Sequence, residues 1–113
     1  MTKVDINVKV KAKIEETGNY IGELNNNVLT YVEKSKTKVM VDLENDTITR
    51  DDIEKNLVLD YRNKKVNLYM KEFKLSFDMD MEVYEIEKND NEYRVEYRLE
   101  NDDFSFELIY KEI

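Results

Sequence analysis

The sequence predicts an all-β protein in which a single antiparallel meander closes into a barrel of about eight to ten strands. Apolar and polar residues alternate along most of the chain, which is the pattern of strands with one buried face. Short runs rich in Asn and Asp separate these segments, and no stretch between them leaves room for a crossover helix. Closing such a sheet removes two exposed edges and covers a wide apolar face. A sandwich of two sheets is the alternative.

The first half of the chain begins with the clearest strand, whose apolar face consists of Val4, Ile6, Val8, Val10, Ala12 and Ile14. A turn is expected over residues 16–19, because Gly18 and Asn19 tolerate a positive φ angle. Further strands are predicted over residues 20–24, 28–33, 36–43 and 47–50. Residues 51–55 are the one place where the sequence predicts a helical turn, with Thr49 or Asp51 as its N-cap.

The second half begins with two alternating segments, which contain Leu57, Leu59 and Tyr61, then Val66, Leu68 and Met70. The longest strand follows, and one of its faces carries Phe73, Leu75, Phe77, Met79, Met81 and Val83. After Val83 the apolar positions change parity to Tyr84 and Ile86, which predicts a β-bulge between Met81 and Ile86. Two more strands, over residues 93–99 and 104–110, flank a turn at residues 101–103.

Composition bounds the class of protein. The 113 residues form one domain, residues 1–113, and 41% of them are hydrophobic, which is enough for a core without disulfides. The formal charge of −8 makes nucleic acid a poor partner. The amino-terminal segment lacks the apolar run of a signal peptide, and no stretch is long enough for a membrane span. We therefore expect a cytoplasmic protein.

The residue inventory argues against an enzyme and against a metal or other cofactor. Cys and His are absent, so thiolates, imidazole bases and the best zinc ligands are missing. Asp78, Asp80 and Glu82 alternate on one strand, where they cannot converge on one ion without a second wall. We interpret that row as a solvated face balanced by Arg94 and Arg98. The other candidate groups also favour structural roles: the Asp51–Asp52 pair, and the lysines at 9, 11 and 13 and at 34, 36 and 38.

The barrel interior is the place where the sequence predicts binding. Five tyrosines are candidates for hydroxyls near the interior or the mouth: Tyr31, Tyr61, Tyr93, Tyr97 and Tyr110. A buried hydroxyl needs a partner, which can be a residue, a water molecule or a ligand. Large apolar side chains cluster late in the chain and are the candidate ligand-binding residues of the interior: Phe73, Phe77, Met79, Met81, Tyr93, Tyr97, Phe104 and Phe106.

The order and pattern of the strands resemble those of the YwiB-like family of small bacterial proteins, a domain of unknown function. The resemblance is carried by the opening strand VDINVKVKAKI, the segment KTKVMVDLENDTITR (36–50), the long strand FKLSFDMDMEVYEIE (73–87) and the closing hairpin EYRVEYRLENDDFSFELIY (92–110), with VLTYVE (28–33) between. It implies a calycin-type barrel, related in shape to lipocalins and fatty-acid-binding proteins. It implies no catalytic residue.

Two functions remain open at this stage. The first is a non-enzymatic barrel that binds a small apolar or amphipathic molecule inside. The second is a barrel with a packed core that acts as a protein-interaction module through its outer surface, with a partner that the sequence does not identify. The two differ in whether the interior has room for a ligand.

Overall fold

The computed structural model describes residues 1–113, and it contains ten antiparallel strands that form one closed barrel. Each strand pairs with its neighbours in the chain, and β1 closes the barrel by pairing with β10 as well as β2. The all-β meander barrel predicted from the alternation is confirmed, and the sandwich is excluded. The strands are β1 (Thr2–Lys11), β2 (Glu15–Asn25), β3 (Val28–Val32), β4 (Lys38–Asp42), β5 (Thr47–Asp51), β6 (Lys55–Asp60), β7 (Lys65–Met70), β8 (Leu75–Asn89), β9 (Glu92–Leu99) and β10 (Asp102–Glu112).

The first turn lies earlier than the sequence predicted. It spans residues 12–14, and β2 begins at Glu15, so the turn expected over residues 16–19 was wrong. Gly18 lies inside β2 opposite Val8, and neither Gly18 nor Asn19 has a positive φ angle. A Cβ atom on Gly18 would come within 2.6 Å of the Tyr20 hydroxyl, so a larger residue here would displace the end of that side chain.

The helical turn expected over residues 51–55 is also absent. Asp51 ends β5, and the next strand begins at Lys55. The Asp52 carboxylate accepts the backbone N–H groups of Glu54 at 2.8 Å and Lys55 at 2.9 Å. A side chain that bonds the backbone two and three residues on closes a tight turn, which is the usual competitor of a helix start. No helix of the chain is long and apolar enough to cross a membrane.

The β-bulge predicted in the long strand is confirmed. Val83 pairs with Tyr97 and Glu85 pairs with Glu96, so Tyr84 is the extra residue of β8. The prediction that Tyr84 continues the apolar face was wrong, because its side chain is exposed and its hydroxyl donates to Asp103 at 3.0 Å. The inward positions are Met81, Val83 and, beyond the bulge, Ile86. The bulge bends β8 shortly after the strand changes partner from β7 to β9, between Asp80 and Met81.

Two long strands connect the two halves of the barrel wall. The first part of β8 pairs with β7 up to Asp80, and the rest pairs with β9 from Met81 onward. On the other side, β2 pairs with β1 along its length but with β3 at three positions only, from Glu23 to Asn25. At this junction the backbones come close, since a Cβ atom on Gly22 would lie 2.4 Å from the Thr30 carbonyl oxygen.

One end of the barrel is closed by a buried carboxylate. Asp46 follows β4 in the turn 43–46 and has a φ angle of 58°, which Asp tolerates better than most residues. Its carboxylate lies 2.8 Å from Lys88 Nζ and 3.4 Å from Arg62 Nη2, and it accepts the Tyr93 hydroxyl at 3.3 Å. Its carbonyl accepts the Tyr61 N–H at 2.9 Å. A continuous core of 17 buried apolar residues fills the barrel above this end.

Candidate functional site

The opposite end of the barrel is open and is surrounded by the turns at residues 12–14, 33–37, 52–54, 71–74 and 100–101. Just inside it, the register of six neighbouring strands aligns one row of inward-facing residues. From β3 to β8 the row reads Tyr31, Val39, Arg50, Leu57, Leu68 and Phe77. The row therefore places one charged side chain among apolar and aromatic ones.

Arg50 is the charged member of that row. It faces inward because it lies two residues beyond Ile48, which is buried in the core. Its guanidinium forms a two-pronged ion pair with Glu33, with Nη2–Oε1 at 2.5 Å and Nη1–Oε2 at 3.4 Å. Both side chains are partly exposed at the open end. Because a guanidinium has five N–H donors, Glu33 orients Arg50 and leaves donors free.

Two tyrosine hydroxyls beside Arg50 lack a hydrogen-bond partner. Tyr31 and Tyr61 are 2% and 1% exposed, and neither Oη atom has a partner at hydrogen-bonding geometry. Tyr31 stacks on Tyr20 with ring centroids 4.8 Å apart, and Tyr61 meets Tyr97 edge to face at 5.0 Å. A buried hydroxyl without a partner costs about 1–3 kcal/mol, so these two groups require an explanation.

The protonation of these phenols follows from their surroundings. Burial raises the pKa of Tyr31, and the nearby Glu33 carboxylate adds to the rise, while the Arg50 charge opposes it. Burial likewise raises the pKa of Tyr61 well above its ordinary value. The Tyr97 hydroxyl, which interacts with that of Tyr61 outside strict hydrogen-bonding geometry, adds to the rise, and Arg50 again opposes it. Both hydroxyls therefore stay protonated at neutral pH and can donate. Together with Arg50 they form a set of donors that suits an acceptor oxygen.

An apolar surface lies beside these donors. In the row nearer the mouth, Met70 of β7 pairs with Leu75 of β8, and in the row below it Leu57, Leu68 and Phe77 are aligned. Leu75 and Phe77 are 51% and 48% exposed although both face the inner side of the sheet. This part of β8 pairs with β7 alone, because the neighbouring strand β9 ends at Leu99, opposite Met81. We call these five residues the apolar shelf.

The predicted interior residues divide into three groups. Met81, Tyr93, Tyr97 and Phe106 are buried in the core, and Met79 and Phe104 are partly buried against it. Phe77 belongs to the apolar shelf. Phe73 lies in the turn 71–74 and is 64% exposed, so its assignment to the interior was wrong. The alternating pattern of β8 does not continue into this turn, because residues 71–74 lie before the strand and do not have its geometry.

Arg50 and Glu33 were missed as site residues. The sequence nevertheless contains a signal for Arg50, because it occupies an inward position of a short strand after Ile48. A charged residue at an inward position is expensive unless it is paired, and it marks a functional site more often than an outward one does. Glu33 shares the parity of the inward residues Leu29 and Tyr31 in the predicted strand 28–33, but it lies just beyond the end of β3, in the loop 33–37.

The mouth also contains recesses. One of about 570 Å³ is bounded by the turns after β1 and β9, with Val10, Ala12, Ile14 and Phe104 as its apolar lining. A smaller one of about 310 Å³ lies next to it, between Ala12, Tyr84 and Phe104. Both open to solvent beside Phe104, which is one of the predicted ligand-binding residues. The volume of the larger recess falls within the range of small-molecule sites.

The other acidic candidates have local partners. Asp80 forms an ion pair with Lys65, and Asp78 accepts the Asn67 amide at 2.7 Å. These partners belong to β7, so the expected balance by Arg94 and Arg98 of β9 was wrong for both residues; Glu82 alone lies opposite Arg98. Arg94 instead pairs with carboxylates of β8, β9 and β10: Glu87, Glu96 and Glu107. Asp51 pairs with Lys71 at 2.9 Å.

Comparisons with protein-family models, curated proteins and solved structures found no match to this chain. The class of protein that the geometry defines is a closed ten-stranded antiparallel meander barrel.

Proposed function

We propose that this protein is a non-enzymatic barrel that binds a small amphipathic molecule at its open end. The apolar part of the ligand lies on the apolar shelf, and its polar head accepts hydrogen bonds from Arg50, Tyr31 and Tyr61. The observation that carries the proposal is the pair of buried tyrosine hydroxyls without partners beside an inward-facing arginine. Because all three groups donate, the preferred head is an acceptor such as a carboxylate.

The same reasoning supports a place among calycin-type barrels for this chain, as the YwiB-like resemblance implies. The meander order, the closure through β1 and the long strands at two junctions support that class. We propose it as the structural context of ligand binding. Membership of the calycin-type barrels leads to the same expectation for function: a barrel that receives a ligand through one open end.

The test is a titration with a fluorescent fatty-acid analogue, followed by displacement with unlabelled alkyl ligands of equal length. The competitors carry a carboxylate, an alcohol or an amine head. We expect saturable one-to-one binding with a dissociation constant in the micromolar range, and displacement by the carboxylate at least ten times more effective than by the amine. Absence of binding by any of them would refute the proposal and leave the surface-interaction function.

Matched variants locate the site. Arg50→Met and the double variant Tyr31→Phe/Tyr61→Phe should each weaken carboxylate binding at least tenfold. The control is Tyr69→Phe, because Tyr69 lies on the outer face of β7 and should leave the affinity unchanged. Equal effects of all three variants, or of none, would place the ligand elsewhere on the barrel.

A further inference from the structure

Two long strands of the barrel wall have unpaired stretches: β8, whose two parts each pair on one side only, and β2. β2 pairs with β3 only at Glu23, Leu24 and Asn25, so residues 15–22 have β1 on one side and no strand on the other. Had the ladder continued, Ile21 would lie opposite Val32, and both side chains are exposed, at 58% and 57%. An unpaired edge presents backbone donors and acceptors to any extended chain that approaches it.

The turn between β2 and β3 determines which groups face the open side. Asn26 and Asn27 have φ angles of 50° and 66°, which is the geometry of a two-residue hairpin turn. Asn25 and Val28 therefore exchange both hydrogen bonds across it, and every second residue of β2 faces the same way. Thr17, Asn19 and Ile21 consequently direct their N–H and C=O groups away from β1. Consistently, the Ile6 carbonyl, on the β2-facing side of β1, accepts the Asn19 side-chain amide at 3.4 Å.

A recess follows this edge. It has a volume of about 840 Å³, and its lining combines residues 17–20 of β2 with Lys9 of β1, Glu107 of β10 and Lys34. Lys9 already pairs with Glu15 at 2.9 Å. Lys34 is exposed in the loop 33–37, and the carboxylate next to it in sequence, Glu33, is taken by Arg50. In a chain with a formal charge of −8, this lysine is a local positive charge beside an open edge.

We propose that the open edge of β2 receives an extended segment of another protein as an added β-strand. Main-chain hydrogen bonds to Thr17, Asn19 and Ile21 hold the segment. An apolar side chain of the segment lies beside Ile21 and Val32, and an acidic side chain lies beside Lys34. The interaction is independent of the ligand proposed for the open end of the barrel.

A second copy of this chain is a poor occupant of the edge. Self-pairing would bring together two chains that each carry a formal charge of −8, with Glu15 and Glu16 on the open segment of both. Like charges directly opposite on neighbouring strands are destabilising. The same repulsion protects the edge against self-association, which is the usual hazard of an uncovered strand.

Hydrogen exchange at single amides tests the premise on the free protein. We expect the amides of Thr17, Asn19 and Ile21 to exchange at least a hundred times faster than those of Gly18, Tyr20 and Gly22, which face β1. Equal protection along residues 17–22 would mean that the edge is already covered, and it would overturn the proposal.

Peptide binding tests the interaction itself. The probe is a capped octapeptide of alternating valine and threonine with an aspartate at each end. Its matched control has the same sequence with alternate backbone nitrogens methylated, so that it cannot pair with an edge. We expect the probe to slow exchange at Thr17, Asn19 and Ile21 and to bind at least ten times more tightly than the methylated peptide. Equal binding, or no protection at millimolar peptide, would refute strand addition.

Two variants complete the test. Thr17→Pro removes an edge N–H without removing a hydrogen bond to β1, so the protein should stay folded and lose at least tenfold in affinity. Lys34→Glu, at an exposed loop position, should weaken binding of the aspartate peptide. It should strengthen binding of an otherwise identical peptide with lysine at each end. An unchanged preference would refute the acidic character of the partner.

Concentration-dependent dimerisation that protects the same three amides would identify a second copy as the occupant and overturn the proposal.

Discussion

Arg50 is a charged side chain at an inward position of a strand whose other inward residue, Ile48, is buried in the core. Glu33 compensates that charge at 2.5 Å, but the phenols of Tyr31 and Tyr61 beside it stay without partners. Such local violations of the rules for a stable core are expected where a protein keeps groups for binding. At the scale of single residues, the open end is therefore less stable than the same barrel could be with an apolar row.

The clearest consequence concerns Tyr61. We expect Tyr61→Phe to raise the free energy of unfolding by about 1 kcal/mol, because it removes a buried hydroxyl without a partner and keeps the ring against Tyr97. Urea denaturation measures the change. The matched control is Tyr93→Phe, which should lower the stability by about 1 kcal/mol, since that hydroxyl donates to Asp46. If both variants are destabilised alike, the Tyr61 hydroxyl has a partner and the donor set is incomplete.

At the scale of elements, two hairpin turns share one sequence pattern. Asp42 precedes a turn in which its carboxylate accepts the N–H groups of Glu44 and Asn45 and the Asn45 side chain. Asp60 repeats this arrangement with Asn63, at the same spacing. Both turns end on a residue with a positive φ angle, at Asp46 and Lys64. The pattern Asp-x-x-Asn followed by such a residue therefore fixes the closed end of the barrel locally.

The Asp42 turn predicts a specific acid sensitivity. Burial alone would raise the pKa of Asp42, but the hydrogen bonds from Asn45 and Glu44 together outweigh it and hold the pKa below its ordinary value. A carboxyl with a lowered folded pKa stabilises the protein above the unfolded pKa of about 3.9, and this contribution disappears as pH falls through the folded value.

We therefore expect Asp42→Asn to be less stable than the parent protein at pH 7 and to approach it below about pH 3. Denaturation midpoints across this range give the comparison. Glu44→Gln is the control in the same turn, because its side chain accepts none of these hydrogen bonds. A deficit for Asp42→Asn that stays constant with pH would contradict the assigned role.

The bulge in β8 gives a second prediction at this scale. Deleting Tyr84 removes the extra residue, and Val83, Glu85 and Ile86 then alternate regularly opposite three consecutive residues of β9, so each side chain keeps its face. We expect the deletion variant to keep the folded β-sheet spectrum in circular dichroism. Tyr84→Ala keeps the backbone and removes an exposed side chain, so it should cost less than about 1 kcal/mol. An unfolded deletion variant would show that the barrel requires the bend that the bulge provides.

At the scale of the whole molecule, the barrel brings the two ends of the chain together. Val4 pairs with Glu112 across β1 and β10, and the Ile113 N–H donates to the Lys3 carbonyl at 3.2 Å. The pairing that closes the barrel runs from Val4 to Lys11 of β1, far longer than the sparse pairing between β2 and β3. The ends can therefore be joined without disturbing the wall.

Circular permutation tests this arrangement. A variant with residues 113 and 1 joined by a short glycine–serine linker and opened in the turn 71–74 should fold, because that turn is exposed and lies outside the ladders. The control is opened inside β9, between Val95 and Glu96, where the break interrupts two ladders and should abolish folding. Circular dichroism and urea denaturation distinguish the two. An unfolded first variant would show that closure needs the natural break in the chain.

The sequence by itself determined the fold class, the meander order and most strand positions, because alternation at period two and the turn propensity of Asn and Asp are local properties. It also predicted the bulge, since one extra residue in a strand shifts the parity of every later inward side chain. The same locality produced its errors: Gly18 was interpreted as a turn residue and Phe73 as an inward one.

The tertiary structure decided which inward residues are covered. Whether Phe77 is buried or exposed depends on where β9 ends relative to β8, and that stagger is a property of the closed barrel, not of either strand. The meeting of Arg50, Glu33, Tyr31 and Tyr61 likewise joins residues from separate segments whose directions only closure fixes. The unpaired edge of β2 arises in the same way, because a local pattern specifies a strand but not the length over which its neighbour follows it.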